Sequence, residues 1–301
     1  MNETVSVVMS TYNGTGYVEE QLDSILHQTY SNLEIILIDD ASTDHTYEIL
    51  ESYAIKDNRI SLYKQKSNVG YNISFSEACS KATGAYIAIS DQDDIWELDK
   101  IEKQLKKINE DPNNVLVHCI SARFEERSQP HLRSIKRMNF FRGNDIRRFF
   151  LANYVLGHAM MFRKSLLDAA LPFPSNVYYD WWLAAYACTI GKIEFVDEIL
   201  VWHRMHETNA TGAGKPKSLF KDQTKSILPA ILSIPNISGR DYEFGKELLN
   251  KYQHFSGAFS WPAFWFLARN AEIIFGHKKR EFPLFSYLKH SFRYAKASTL
   301  A

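Results

Sequence analysis

The first hundred residues alternate between strand and helix patterns, and this alternation limits the fold more than any other feature of the chain. Val5–Ser10 (VSVVMS) is a short β-branched run. Val18, Leu22, Ile25 and Leu26 then fall on one helical face within Gly16–Gln28. Leu33–Ile38 (LEIILI) is almost continuously apolar, as expected of a parallel strand buried on both faces. Ser42 and Asp44 are candidate caps for a helix over Thr46–Ile55. Ile60–Tyr63 reads as a short strand, Tyr71–Ala82 as a helix stopped by Gly84, and Ala85–Ser90 as a fourth strand. Strand–helix–strand repetition predicts a parallel sheet with right-handed crossovers.

Farther on, 97–110 reads as a charged amphipathic helix and Val115–Cys119 as a strand. Residues 123–148 are polar and Arg-rich, which predicts a loop or lid. Val155–Phe162 is apolar, Tyr179–Ile190 reads as a helix, and Ile193–Val196 and Ile199–Trp202 read as two short strands. The alternation ends near Lys215, and the remainder is helical and aromatic-rich. The expected division is 1–214 for an α/β domain and 215–301 for a helical C-terminal region.

Composition narrows the function. Of 301 residues, 45% are hydrophobic and 23% charged, which excludes disorder as the main state. The 35 Lys+Arg balance 35 Asp+Glu, which excludes a uniformly basic nucleic-acid binder. Cys79, Cys119 and Cys188 are scattered, with no CxxC pair, so neither a zinc site nor a disulfide framework is expected. The N-terminal residues carry no signal-peptide pattern, and no stretch reaches the ~20 apolar residues of a membrane span. A reduced, cytoplasmic setting is the expectation. On that basis the Asn72-Ile73-Ser74 sequon carries no glycan.

In an open α/β sheet, ligands bind beyond the carboxyl ends of the strands. Three such ends carry notable groups: Ser10-Thr11-Tyr12-Asn13-Gly14, Asp39-Asp40-Ala41-Ser42-Thr43-Asp44 and Asp91-Gln92-Asp93-Asp94. Three carboxylates in four residues repel one another unless a cation lies between them. A divalent metal, Mn²⁺ or Mg²⁺, satisfies that demand, and a turn with a helix cap is the plain alternative. Asp40 can accept a hydrogen bond from the imide of uracil or thymine, and Tyr12 can stack on that base or lie in the core. Asn68-x-Gly70 is either a turn that brings backbone near a ligand or an ordinary loop.

The segments VSVVMSTYNG, LEIILIDDASTDHT, NVGYNISF and ATGAYIAISDQDDIW together resemble the nucleotide-diphospho-sugar-binding half of family 2, GT-A-type inverting glycosyltransferases. GHAMMFRKSLL (157–167), YYDWWLA (178–184) and VWHRMHETNATG (201–212) extend the resemblance over roughly residues 4–212, toward bacterial rhamnosyltransferase-like, glycan-assembly members. It implies a GT-A-like, Rossmann-like and mostly parallel sheet flanked by helices. It also implies donor-binding roles for Ser10, Thr11, Tyr12, Asn13, Asp40, Asn68, Gly70 and Asp91. The metal set would be Asp91, Asp93, Asp94 and His206, with His203 a weaker candidate. Asp180 would be the general base. Gly157, His158, Trp181 and Trp182 would face the acceptor, with one indole stacking on sugar and the other in the core. Tyr179 stands where many members have a second acid, and Trp202-His203 where a Tyr-Arg pair is common.

The implied activity is transfer of a hexose from a UDP-sugar to a hydroxyl of a surface-polysaccharide or glycoprotein glycan. A dTDP-rhamnose donor is the alternative, and a non-catalytic sugar-binding or scaffolding subunit the alternative of another class. A nucleotidyltransferase is disfavoured because no Gly-rich phosphate loop follows the first strand. The neutral total hides a cancellation: residues 215–301 hold 14 Lys+Arg against 6 Asp+Glu, a local charge of +8. That basic, aromatic region is expected to pack on the catalytic part and to join copies into a homo-oligomer. Peripheral contact with the inner face of a membrane is the alternative.

Overall fold

The computed structural model describes residues 3–124, 139–206, 227–253, 259–276 and 282–297. Strands β1 (Val5–Thr11), β2 (Leu33–Asp39), β3 (Ile60–Lys64) and β4 (Tyr86–Ser90) alternate with helices α1 (Val18–Leu26), α2 (Thr46–Lys56) and α3 (Tyr71–Ser80). These four strands are mutually parallel, in the order β3-β2-β1-β4. The periodicity explains why. Val5, Val7 and Met9 point into one core with Leu33, Ile35 and Leu37, while Val8, Ile36 and Ile38 point into the other. A strand apolar at every position needs cover on both faces, and helices supply it.

The sheet continues through β7 (Met160–Arg163), β6 (Asn114–Phe124), β8 (Lys192–Arg204) and β5 (Ile95–Trp96). Only β7 and β5 run against the rest. The two strands expected at 193–196 and 199–202 are one, β8. Val196 pairs with Cys119 and Ile199 with Ile120, so the exposed pair Asp197-Glu198 bulges out between them. Two-residue β5 is too short to leave a period in the sequence.

Helix α4 (Lys100–Ile108) covers one face. The helices α5 (Lys164–Ala170) and α6 (Tyr179–Ile190) cover the other. The C-terminal helices join that second core: Ile227, Ile231, Leu248, Leu267, Ile274 and Phe275 are buried with Phe149, Trp181 and Leu183. Asn139 Nδ2 and Tyr154 Oη donate to the carbonyls of Gly276 and Ile274, tying the same region to the sheet side. The expected boundary at 214/215, most of the 123–148 loop, and Asn209 and Gly212 lie outside the described residues.

Candidate active site

Strand directions bring the segments that carry chemistry to one edge. The carboxyl ends of β1, β2, β4, β6 and β8 lie there. So do the segments leading into antiparallel β7 and β5, which carry Gly157-His158 and Asp94.

The β1 and β2 loops interlock. Asp39 is buried and accepts from the Ser42 backbone N–H at 3.0 Å and from Thr11 Oγ1 at 3.2 Å. Asn13 sits at φ 51° and its Oδ1 accepts from the Thr43 N–H at 2.8 Å. Asp44 accepts from the Thr46 N–H at 3.0 Å from just before α2, whose N-cap is His45 without a side-chain cap. Ser42, the other expected cap, instead accepts from the Asn13 N–H and donates to Asp39. Tyr12 is left 43% exposed, free to offer a ring face, and Ser10 precedes it partly buried. Both Asp40 oxygens accept backbone N–H groups, from Val69 and Gly70 at 2.8 Å each. Asp40 therefore fixes the Asn68–Gly70 turn, whose Gly70 adopts φ 86°, open to glycine at little cost.

Gln92, which no sequence pattern singles out within its strand end, binds the first loop. Its side-chain amide clamps the Tyr12 backbone, accepting from the N–H at 2.9 Å and donating to the carbonyl at 3.1 Å. The three acids around it have separate partners. Asp91 Oδ2 accepts from His158 Nδ1 at 3.0 Å. Asp93 Oδ2 lies 2.8 Å from His206 Nε2. Asp94 is wholly buried and accepts from His203 Nδ1 at 2.9 Å; among the described residues its Oδ2 makes no hydrogen bond, though it lies 3.7 Å from His158 Nδ1.

Charge sorts these groups. Burial opposes a cation at His158, but the carboxylates of Asp94 and Asp91 outweigh it and lift the imidazole to about 9. Burial also opposes ionisation of Asp91, and His158 overcomes it, holding that carboxyl below its ordinary value. Asp93 moves upward through burial and the neighbouring Asp91 and Asp94, against the pull of His206. The rings of His158 and His203 stack in parallel at 4.9 Å over this acid pair. Around His206, Tyr17 stacks at 4.5 Å, and Arg204 Nε donates to the Asp93 carbonyl at 3.2 Å while pairing with Glu20.

The donor set fits a divalent cation: hard carboxylate oxygens, imidazole nitrogens and one orphaned buried oxygen. Asp94, His158 and His203 each offer a donor atom, all within 4.8 Å of one another. Asp93 and His206 form a second, more open pair.

Asp180 reaches this edge from the first turn of α6. Burial pushes its carboxyl up to about 6, the Trp181 N–H opposes that, and Asp91 adds to it. Asn72 sets the approach: its Nδ2 donates to the carbonyls of Val177 and Pro174, and its Oδ1 accepts from the Tyr179 N–H at 2.8 Å. In the sequence Asn72 stands out only as part of a sequon and of the NVGYNISF segment, neither of which implies this role.

The residues expected to face the acceptor are placed differently. Both Trp181 and Trp182 are core residues, with their indole N–H groups donating to the carbonyls of Phe149 and Ala170. Sugar stacking by one of them is not carried forward. Gly157 is buried, and a Cβ there would meet the Tyr179 hydroxyl at 2.2 Å. His158 is buried between Asp91 and Ser121, whose Oγ lies 2.8 Å from Nε2. Helix α6 is apolar nearly all round, which is itself the pattern of a buried helix and accounts for both tryptophans; no such pattern marks Gly157 and His158.

The chain is similar in sequence and fold to known proteins. The sequence profile described as Glycosyl transferase family 2 matches residues 6–171. An uncharacterized glycosyltransferase of Methanocaldococcus jannaschii, MJ1057, is 30% identical over 207 residues, covering 67% of this chain and 70% of that protein. The glycosyltransferase GlyG of Streptococcus pneumoniae is 38% identical over 117 residues, and there the match spans 39% of each chain. Thus the chain spans about two fifths of the length of such relatives. Among solved structures, Staphylococcus aureus TarS 1-349 in complex with UDP-GlcNAc superposes with a TM-score of 0.66 at 17% identity, covering 98% of this chain and 88% of TarS. The mannosyltransferase PcManGT of Pyrobaculum calidifontis, in complex with GDP-Man and Mn²⁺, gives 0.61 at 19% identity, covering 97% and 80%. With its first four strands, acidic strand-end cluster and profile match all in one stretch, the chain belongs to glycosyl transferase family 2, with a GT-A-type α/β fold.

Proposed function

We propose that the protein is an inverting, metal-dependent hexosyltransferase acting from a UDP-sugar onto a hydroxyl of a glycan. The observation that carries this reading is the placement of Asp180, fixed in the first turn of α6 by the Trp181 N–H beside Asp91 and the Gly157-His158 segment, where its carboxyl is pushed up to about 6. An inverting transfer needs a base to take the acceptor proton as that oxygen attacks the anomeric carbon. A carboxylate poised near 6 is ionised at neutral pH and basic enough to serve.

The other parts follow from the same edge. Tyr12 offers a ring face to the nucleobase, and the interlocked Ser10–Asn13 and Asp39–Asp44 loops hold it. Asp40 keeps the Asn68–Gly70 turn in place beside them. The donor is UDP-linked in this reading, and dTDP-rhamnose is the alternative, since uracil and thymine present the same imide. A Mn²⁺ or Mg²⁺ ion supplies positive charge for the departing diphosphate. We assign it to Asp93 and His206, with Asp91 and Asp94 adjacent. That pair is the more open one, and a diphosphate needs free positions on the ion. His158 is less suited as a ligand, because both ring nitrogens are already engaged, Nδ1 with Asp91 at 3.0 Å and Nε2 with Ser121 Oγ at 2.8 Å. The inner group of His158, His203 and Asp94 then acts as a rigid floor. The three cysteines are buried thiols, which suits a reducing, cytoplasmic setting.

A donor panel tests the reading: UDP-, dTDP- and GDP-sugars with Mn²⁺ or Mg²⁺, scored by nucleoside diphosphate release, with EDTA as control. UDP release that EDTA abolishes is expected. Turnover in EDTA would refute the metal assignment, and absence of release from every donor would favour a non-catalytic subunit. His206→Ala should raise the metal concentration needed for half-activity by about 10–100-fold.

A further inference from the structure

Two packed C-terminal helices expose a face that the catalytic reading does not use. On the helix Trp261–Arg269, the exposed side chains are Trp261, Pro262, Trp265 and Arg269, one stripe at helical spacing. The two indoles are 61% and 54% exposed. On the helix Pro283–Ala297, Phe285, Leu288, Lys289, Phe292, Arg293 and Lys296 form one exposed stripe, while His290, Ser291 and Ala295 are buried behind it. Phe285 is 77% exposed, and Phe292 45%.

The stripes are continuous. Phe264 contacts Trp261 at 5.8 Å, Trp265 at 5.1 Å and Phe292 at 6.4 Å between ring centroids. Lys296 Nζ lies 4.9 Å above the Phe292 ring, so cations and aromatics share one surface. Among the described residues neither stripe holds a carboxylate; Glu272 is on the short helix that follows the first.

We propose that this face docks on an anionic lipid surface. Large aromatics interleaved with Lys and Arg, with no acid among them, match the boundary between headgroups and acyl chains. Indoles favour that boundary, and each cation near an anionic surface adds to the attraction. A second copy fits poorly, because a two-fold contact would set Arg269, Lys289, Arg293 and Lys296 against the same four. Charge complementarity therefore selects the lipid. Among the described residues no helix is long and apolar enough to cross a membrane, so the contact is peripheral. A bilayer held there would keep the protein beside lipid-borne acceptors.

The full chain tests this in co-sedimentation with vesicles of phosphatidylcholine alone or mixed with phosphatidylglycerol. Binding only to the anionic vesicles, falling as salt rises, is the expected result. Trp261→Ser/Trp265→Ser and Lys289→Glu/Arg293→Glu should each weaken binding by about tenfold or more. All four positions are exposed, so unchanged circular dichroism is expected for both variants. Absence of vesicle sedimentation at low salt, or variants that bind like the parent, would overturn the proposal. So would a dimer in analytical ultracentrifugation that the variants dissolve, since the face would then be covered by a second copy.

Discussion

Asp180 shows how much a single residue's chemistry depends on its surroundings. In water its carboxyl would titrate near the ordinary 3.8; burial here carries it to about 6. Because the base works ionised, kcat/KM should rise with pH through about 6 and level off above it. Asp180→Asn should lower kcat by about 10²–10⁴-fold and remove that limb, while donor binding by calorimetry stays intact. Wild-type turnover by the variant would refute the base role. The sign for stability is opposite. A carboxyl raised in the folded state destabilises the fold above its unfolded value, so the Asn variant should be no less stable at pH 7. The resemblance gave Asp180 its role, while its raised pKa comes from burial and from Asp91, which only the fold supplies. His158 is the converse case. Its sequence context pointed to the acceptor, but two carboxylates from 91–94 make it a buried cation.

At the scale of elements, the first four strands and three helices were legible because their apolar periods are local and unambiguous. Helix α6 matched its expected bounds, Tyr179–Ile190. The second half was less legible. Strand β8 looked like two strands because Asp197-Glu198 breaks the apolar run, and a bulge absorbs the pair. The positions of α3 and α6 are coupled through Asn72, a link no period encodes. Asn72→Ala would strand the carbonyls of Pro174 and Val177 and the Tyr179 N–H. A stability loss of about 1–3 kcal/mol is expected in denaturant titration. The accompanying fall in kcat should exceed any change in donor KM, because Asp180, not the nucleotide loops, loses its support. An equal loss in both would show that Asn72 supports the whole edge.

For the molecule as a whole, the C-terminal helices share a core with α6 and the sheet, through residues such as Trp181, Leu267 and Ile274. Calorimetry should therefore show one cooperative transition; two separated ones would mean that residues beyond 226 unfold alone. The zero net charge likewise resolves only in three dimensions. The acidic excess supplies the strand-end cluster, and part of the basic excess lies on the exposed face of the last helix. By itself the sequence determined the parallel α/β start, the strand ends that carry chemistry and the family-like motifs. Each of these depends on residues near one another in the chain, where hydrophobic period and turn chemistry are readable. Only the tertiary structure decided that Asp40 holds the 68–70 turn, that His158 neutralises Asp91, that both tryptophans are core and that Asp180 reaches the acidic edge. Burial and charge act through space, and those partners lie 12 to about 90 residues apart, beyond the reach of helix or strand periods.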